Sequence, residues 1–94
     1  MTTFSRQEFV GRCGVEQETL TVWLEERWLI PGGTDAEPSF SEIDLARARL
    51  IRDLKEDLGV NEAGIGVILD LVDQVHGLRR ALSHVQSAVK ERGA

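Results

Sequence analysis

Seven apolar residues toward the C-terminus, Ile68, Leu71, Val75, Leu78, Leu82, Val85 and Val89, succeed one another at alternating intervals of three and four. This is the heptad period of a helix that carries one apolar seam along its length. Asn61 can cap such a helix, and the pattern predicts a single run from about Glu62 to Arg92, about 45 Å at ~1.5 Å per residue. The chain has 94 residues, so the segment before the helix can offer a core of only a few short elements. The start of the seam can pack on that core, but the distal half outruns it and must find another surface or fray. Self-association through Ile68 to Val89 is therefore expected. The flanking e and g positions are mostly uncharged, so ion pairs do not fix the orientation, and parallel and antiparallel pairs both stay open.

Residues 1–60 read as a small core and residues 61–94 as its long helix, together one domain. Ser5 followed by Glu8 is a capping-box pattern, with Phe4 and Phe9 placed as a hydrophobic staple. The helix that starts there should stop between Gly11 and Gly14. A second helical pattern runs from about Gln17, with Leu20, Trp23 and Leu24 on one face. Two short helices joined by a tight glycine turn make a helix-turn-helix candidate. Pro31-Gly32-Gly33 ends that region, the polar stretch through Pro38 reads as an irregular hairpin or loop, and Phe40 sits in a brief extended segment. Ser41 with Asp44 repeats the capping signature. A third helix to about Leu58 should face Ile43, Leu50, Ile51, Leu54 and Leu58 inward, with Gly59 as its left-handed cap.

Charge is distributed unevenly. Residues 1–46 carry nine acidic groups against three arginines, whereas residues 47–94 carry eight basic against seven acidic, for a net charge of -5. Nucleic-acid binders draw most of their affinity from neutralising phosphates, so an acidic N-terminal half weighs against DNA or RNA and toward a basic protein partner. Cys13 is the only cysteine, which excludes an internal disulfide and suits a reducing cytoplasm. No stretch approaches the roughly 18 apolar residues of a membrane span, and the N-terminus lacks the charged and apolar regions of a secretory signal. A soluble, unprocessed, cytoplasmic protein is expected.

No catalytic constellation is recognisable, and neither a metal nor a cofactor is expected. The chain has no phosphate-cradling glycine loop, no paired-cysteine motif and no His-Glu-x-x-His. His76 and His84 lie about 12 Å apart along a helix and cannot share an ion within one protomer; solvated surface histidines account for them. Cys13 beside Arg12 reads more simply as a small core filler than as a reactive thiol. Asp70 and Asp73, three apart on the last helix, are either its wet face or a contact for a charged partner.

Several segments carry a family resemblance. Phe9 with Cys13-Gly14-Val15, Leu20 through Trp28-Leu29-Ile30-Pro31, and Phe40-Ser41-Glu42-Ile43-Asp44 resemble the MerR-type winged helix-turn-helix scaffold. Gly64-Ile65, Val67-Ile68-Leu69-Asp70-Leu71-Val72-Asp73 and Leu78 are more specific, and look like the chaperone-modulator CbpM family within that superfamily. The resemblance covers about residues 4–82. It implies a mostly α fold: a MerR-like winged helix-turn-helix with a short wing and a long C-terminal dimerisation helix. It further implies a homodimer that is not an enzyme, binds the J-domain of a DnaJ-like co-chaperone of the CbpA type, and inhibits its work with the chaperone DnaK.

A MerR-type regulator that binds DNA is the alternative, and the same residues weigh on it. A DNA-reading second helix offers cations to phosphates, whereas this one presents Glu16, Glu18, Glu25 and Glu26, and the stretch from Gly32 to Pro38 holds Asp35 and Glu37 with no basic residue. Arg47, Arg49, Arg52 and Lys55 form a basic run on the third helix, which pairing with Asp44, Asp53 and Glu56 would explain but which keeps DNA open. Glu18, Glu25 and Glu26 are the expected partner contacts, with Asp70 and Asp73 as further choices. Trp23 and Trp28 are core candidates; whichever is exposed, with Trp28 preferred, would anchor the partner. A small assembly protein with no function beyond its dimer helix is a third reading.

Overall fold

The computed structural model describes residues 2–93 and divides into two compact units that meet in sequence at Asn61 and Glu62. The first unit contains three short strands and three helices: β1 (Thr3–Phe4), α1 (Arg6–Cys13), α2 (Gln17–Glu25), β2 (Gly32–Gly33), β3 (Pro38–Ser41) and α3 (Glu42–Arg52). β3 is the middle strand. It pairs antiparallel with β1, Phe4 opposite Phe40, and with β2, Gly33 opposite Pro38. The architecture is mostly α with a small sheet, as expected.

Local chemistry sets the boundaries of the helices. At α1 the Ser5 side chain accepts from the Glu8 backbone N–H while the Glu8 carboxylate accepts from Ser5 N–H at 3.0 Å, and Gly14 at φ 69° closes the other end. α3 starts on the same device, with Ser41 N–H donating to the Asp44 carboxylate at 2.9 Å. Asp44 thus serves in the cap of α3.

α2 ends in a Schellman turn: Trp28 N–H donates to the Trp23 carbonyl at 3.0 Å and Arg27 N–H to the Leu24 carbonyl at 3.2 Å. This turn requires a left-handed residue, and here the residue is Arg27, at φ 59°. The wing comes next as the β2–β3 hairpin, closed by Thr34 N–H donating to the Glu37 carbonyl at 3.2 Å. Gly33 is required in this hairpin. At φ 76° a Cβ there would lie 2.5 Å from the Glu37 carbonyl oxygen.

The core of the first unit forms around Phe9 and Phe40, fully buried and stacked with ring centroids 4.2 Å apart. Phe4, Cys13, Leu20, Trp23, Trp28, Leu29, Leu45, Ala48, Ile51 and Leu54 are buried with them. Two expectations about α3 are corrected. Ile43 and Leu58 are 79% and 71% exposed, and Leu45 and Ala48 are the inward residues instead. Ile43 precedes Leu45 by two positions, which at about 100° per residue puts it on the opposite face. Leu58 is displaced because the α-helix gives way after Arg52 to a π turn over Asp53–Asp57, whose extra residue rotates the positions beyond it. Gly59 does take the left-handed conformation, at φ 64°.

The second unit is α4 (Glu62–Gly93), 32 residues and about 48 Å long. Ile65 and Leu69 are its buried residues. Ile68 is half-buried, whereas Leu71, Val75, Leu78, Leu82, Val85 and Val89 are all exposed, Leu78 by 70%.

Candidate functional site

The exposed face of α2 is built by helical spacing. Glu18 and Glu25 are seven apart and so nearly eclipsed, with exposed Val22 between them and Glu26 one step to the side at the helix end. All three glutamates are exposed, and Glu16 adds a fourth carboxylate at the N-terminal end. Arg6, the nearest cation of α1, is already engaged: its guanidinium donates to Gln17 Oε1 at 3.0 Å and to Thr21 Oγ1. Both acceptors are neutral, so Arg6 keeps its positive charge, and the face is net acidic because the four carboxylates outnumber it.

Between α2 and the wing lies an open groove of about 430 Å³, with Leu24, Ile30 and Pro31 on its apolar surface and Arg6, Glu25, Arg27 and Asp35 as its charges. Ile30 is 70% exposed. It follows buried Leu29 in the irregular segment between α2 and β2. The wing tip carries exposed Asp35 and Glu37.

The basic run of α3 has largely structural duties. Arg47 donates to the Trp28 carbonyl, and Arg52 Nη1 donates to the Cys13 carbonyl at 2.9 Å, so each ties α3 to the end of an earlier helix. Arg49 and Lys55 are exposed. Arg52 also supplies positive charge where the α1 dipole is negative. Cys13 is a core filler: buried, its thiol donating to the Phe9 carbonyl at 2.9 Å, and its pKa raised by desolvation. That environment makes it a poor nucleophile.

Against this geometry, the family model for MerR HTH regulatory proteins matches residues 4–87, nearly the whole chain. The chain belongs to the MerR helix-turn-helix family. No curated protein matches it significantly.

In MerR terms, α1 and α2 are the helix-turn-helix, β2–β3 the wing and α4 the long C-terminal helix. The structure brings Glu18, Glu25 and Glu26 together on one face of this head. Asp70 and Asp73 are exposed on α4, in the other unit. Trp28 does not join a surface site. It is only 7% exposed, because the Schellman turn directs it inward, and this corrects its expected role as an anchor. Ile30 and Arg27 are the groove residues that sequence reasoning misses; an irregular segment carries no periodic signal for the first, and the left-handed turn hides the second. Among the described residues no group of three or more His, Cys, Asp or Glu could hold a metal ion, and no helix is long and apolar enough to cross a membrane.

Proposed function

We propose that this MerR-family chain is a cytoplasmic adaptor that acts by binding, not by catalysis, and that its head grips a basic protein surface in place of DNA. The partner in this reading is the J-domain of a DnaJ-like co-chaperone of the CbpA type, whose work with DnaK it inhibits. The resemblance of the Gly64–Asp73 segment to the CbpM family supplies the partner's identity. The observation that carries the reading is electrostatic: Glu18, Glu25 and Glu26 on α2 and Asp35 and Glu37 on the wing stand exposed where a DNA reader places cations. J-domains generally present a basic helix, and opposite charge across an interface speeds association more than it tightens it. Dimerisation through the exposed α4 seam belongs to the same proposal, with Asp70 and Asp73 as further partner contacts.

Reversing Glu25→Lys and Glu26→Lys tests it. The double variant should associate with the J-domain about tenfold more slowly at low salt, with a flatter salt dependence and unchanged circular dichroism. An on-rate equal to wild type would remove this face from the interface.

Family membership favours a second reading, a DNA-binding regulator, and exposed Arg49 and Lys55 are the cations it would use. Anisotropy titration with genomic fragments separates the two. Tight binding that weakens steeply with salt supports the regulator, and binding no stronger than to random duplex removes it.

A further inference from the structure

Four charged residues line the groove between α2 and the wing. Arg6 is held by Gln17 and Thr21, whereas Glu25, Asp35 and Arg27 have no hydrogen-bond or ion-pair partner for their side chains among the described residues. Ile30 stands exposed among them. Arg27 is the odd member. It occupies the left-handed position of the Schellman turn at φ 59°, where glycine is the common residue because it has no Cβ to crowd the following carbonyl. The three other left-handed residues among those described, Gly14, Gly33 and Gly59, are glycines. Its backbone N–H would make the same turn bond to Leu24 whatever the side chain, so the guanidinium contributes nothing that the turn needs. A strained residue whose side chain lies free in a groove points to a role outside the fold.

We propose that Arg27 is a partner-recognition residue, and that the groove takes a short helical segment of a protein with a matching mixed pattern. That segment carries a cation for Glu25 and Asp35, an apolar side chain for Ile30, and a carboxylate for Arg27. Arginine suits this task because its fork can hold a carboxylate through two parallel hydrogen bonds. Arg27 is thus the specificity element: an all-basic helix is attracted to the acidic face, but only one with an acid in the correct place satisfies the groove. The proposal rests on the protein-binding reading of the head and not on the partner being a J-domain. Nucleic acid fits less well, since Glu25 and Asp35 offset Arg6 and Arg27 and leave the groove no net positive charge for phosphates.

The test uses the full chain and two synthetic helical peptides, each with lysines flanking a leucine, one bearing a glutamate a turn away and the other a glutamine. Nuclear magnetic resonance titration should move the Ile30 methyl and Arg27 signals, with the glutamate peptide bound about tenfold more tightly. Arg27→Gly should melt no lower than wild type and lose that preference. The proposal is overturned if wild type binds neither peptide, if Arg27→Gly keeps the preference, or if Arg27→Gly melts lower, which would make the side chain structural. It is equally overturned if Arg27 contributes to duplex DNA binding and not to peptide binding. Peptide binding without J-domain binding would sink the J-domain assignment alone.

Discussion

The two units of this chain treat apolar surface in opposite ways. The first sequesters its aromatic residues and most of its leucines around the Phe9–Phe40 stack, whereas α4 beyond Leu69 has no buried residue among those described, although it carries a regular apolar seam. Both patterns arise from helical periodicity. The difference is that α3 and α1 lie against the small sheet and one another, so Leu45, Ala48, Ile51 and Phe9 find partners within the unit, while Leu78, Leu82, Val85 and Val89 find none. Periodicity therefore announces an apolar face without saying what covers it. An uncovered stripe of this length is uncommon on a stable monomer, which is why a second copy on α4 is proposed as its cover.

The largest effect should come from the core. Phe40→Ala removes the stack with Phe9 and leaves a cavity in a unit with little core to spare, at a cost of about 3–5 kcal/mol. Trp23 and Trp28 both lie in the first unit, so tryptophan fluorescence during urea unfolding reads that unit selectively. Val85→Ala should leave the same transition within about 0.5 kcal/mol. Equal shifts from both variants would erase the contrast between the units.

Next in size is the seam. Leu78→Glu with Leu82→Glu places charges where apolar residues are proposed to meet, and should raise the dimer dissociation constant by at least about a hundredfold in light scattering. The tryptophan transition should stay in place while the helical signal of α4 falls on dilution. A dimer that survives the double substitution puts the interface elsewhere.

A smaller effect tests how α3 holds α1. Arg52→Met keeps the apolar stem and removes the bond to the Cys13 carbonyl, which should cost about 1–2 kcal/mol. Cys13 should label faster with a thiol reagent in this variant, because the buried thiol is reached only through opening of the unit. Unchanged labelling would assign Arg52 to the surface.

Much of this fold is legible in the sequence because its signals are local. Ser5-Glu8 and Ser41-Asp44 place two helix starts, glycines mark turns, and the heptads give α4 almost to the residue. The features that escape depend on distance or on departures from the ideal helix. The π turn after Arg52 has no local signature, so extending the helical period one step too far assigns Leu58 inward. Ala48 escapes because a small residue gives a weak apolar signal, although it is fully buried. The acidic face can be read from α2 alone, since Glu18 and Glu25 share a face by spacing. The groove cannot, because its existence depends on Arg27 adopting a conformation expected of glycine.

The smallest effect concerns acid. Ser5 N–H and the Ser5 side chain, hydrogen-bonded to the Glu8 carboxylate, hold its pKa below the usual 4.5, so folding favours the charged form. The stability this contributes is complete above the ordinary pKa and is lost as pH falls through the lower folded value, where both states are protonated. Glu8→Gln keeps an acceptor for the Ser5 N–H but cannot titrate. Its stability should therefore fall less steeply on acidification, seen as a narrower spread of tryptophan-monitored midpoints between neutral pH and the carboxylate range. Glu8 caps α1 in the first unit, so the variant should leave the concentration dependence of the α4 helical signal unaltered. A flattened acid limb together with weakened self-association would mean that the cap of α1 and self-association through α4 are coupled.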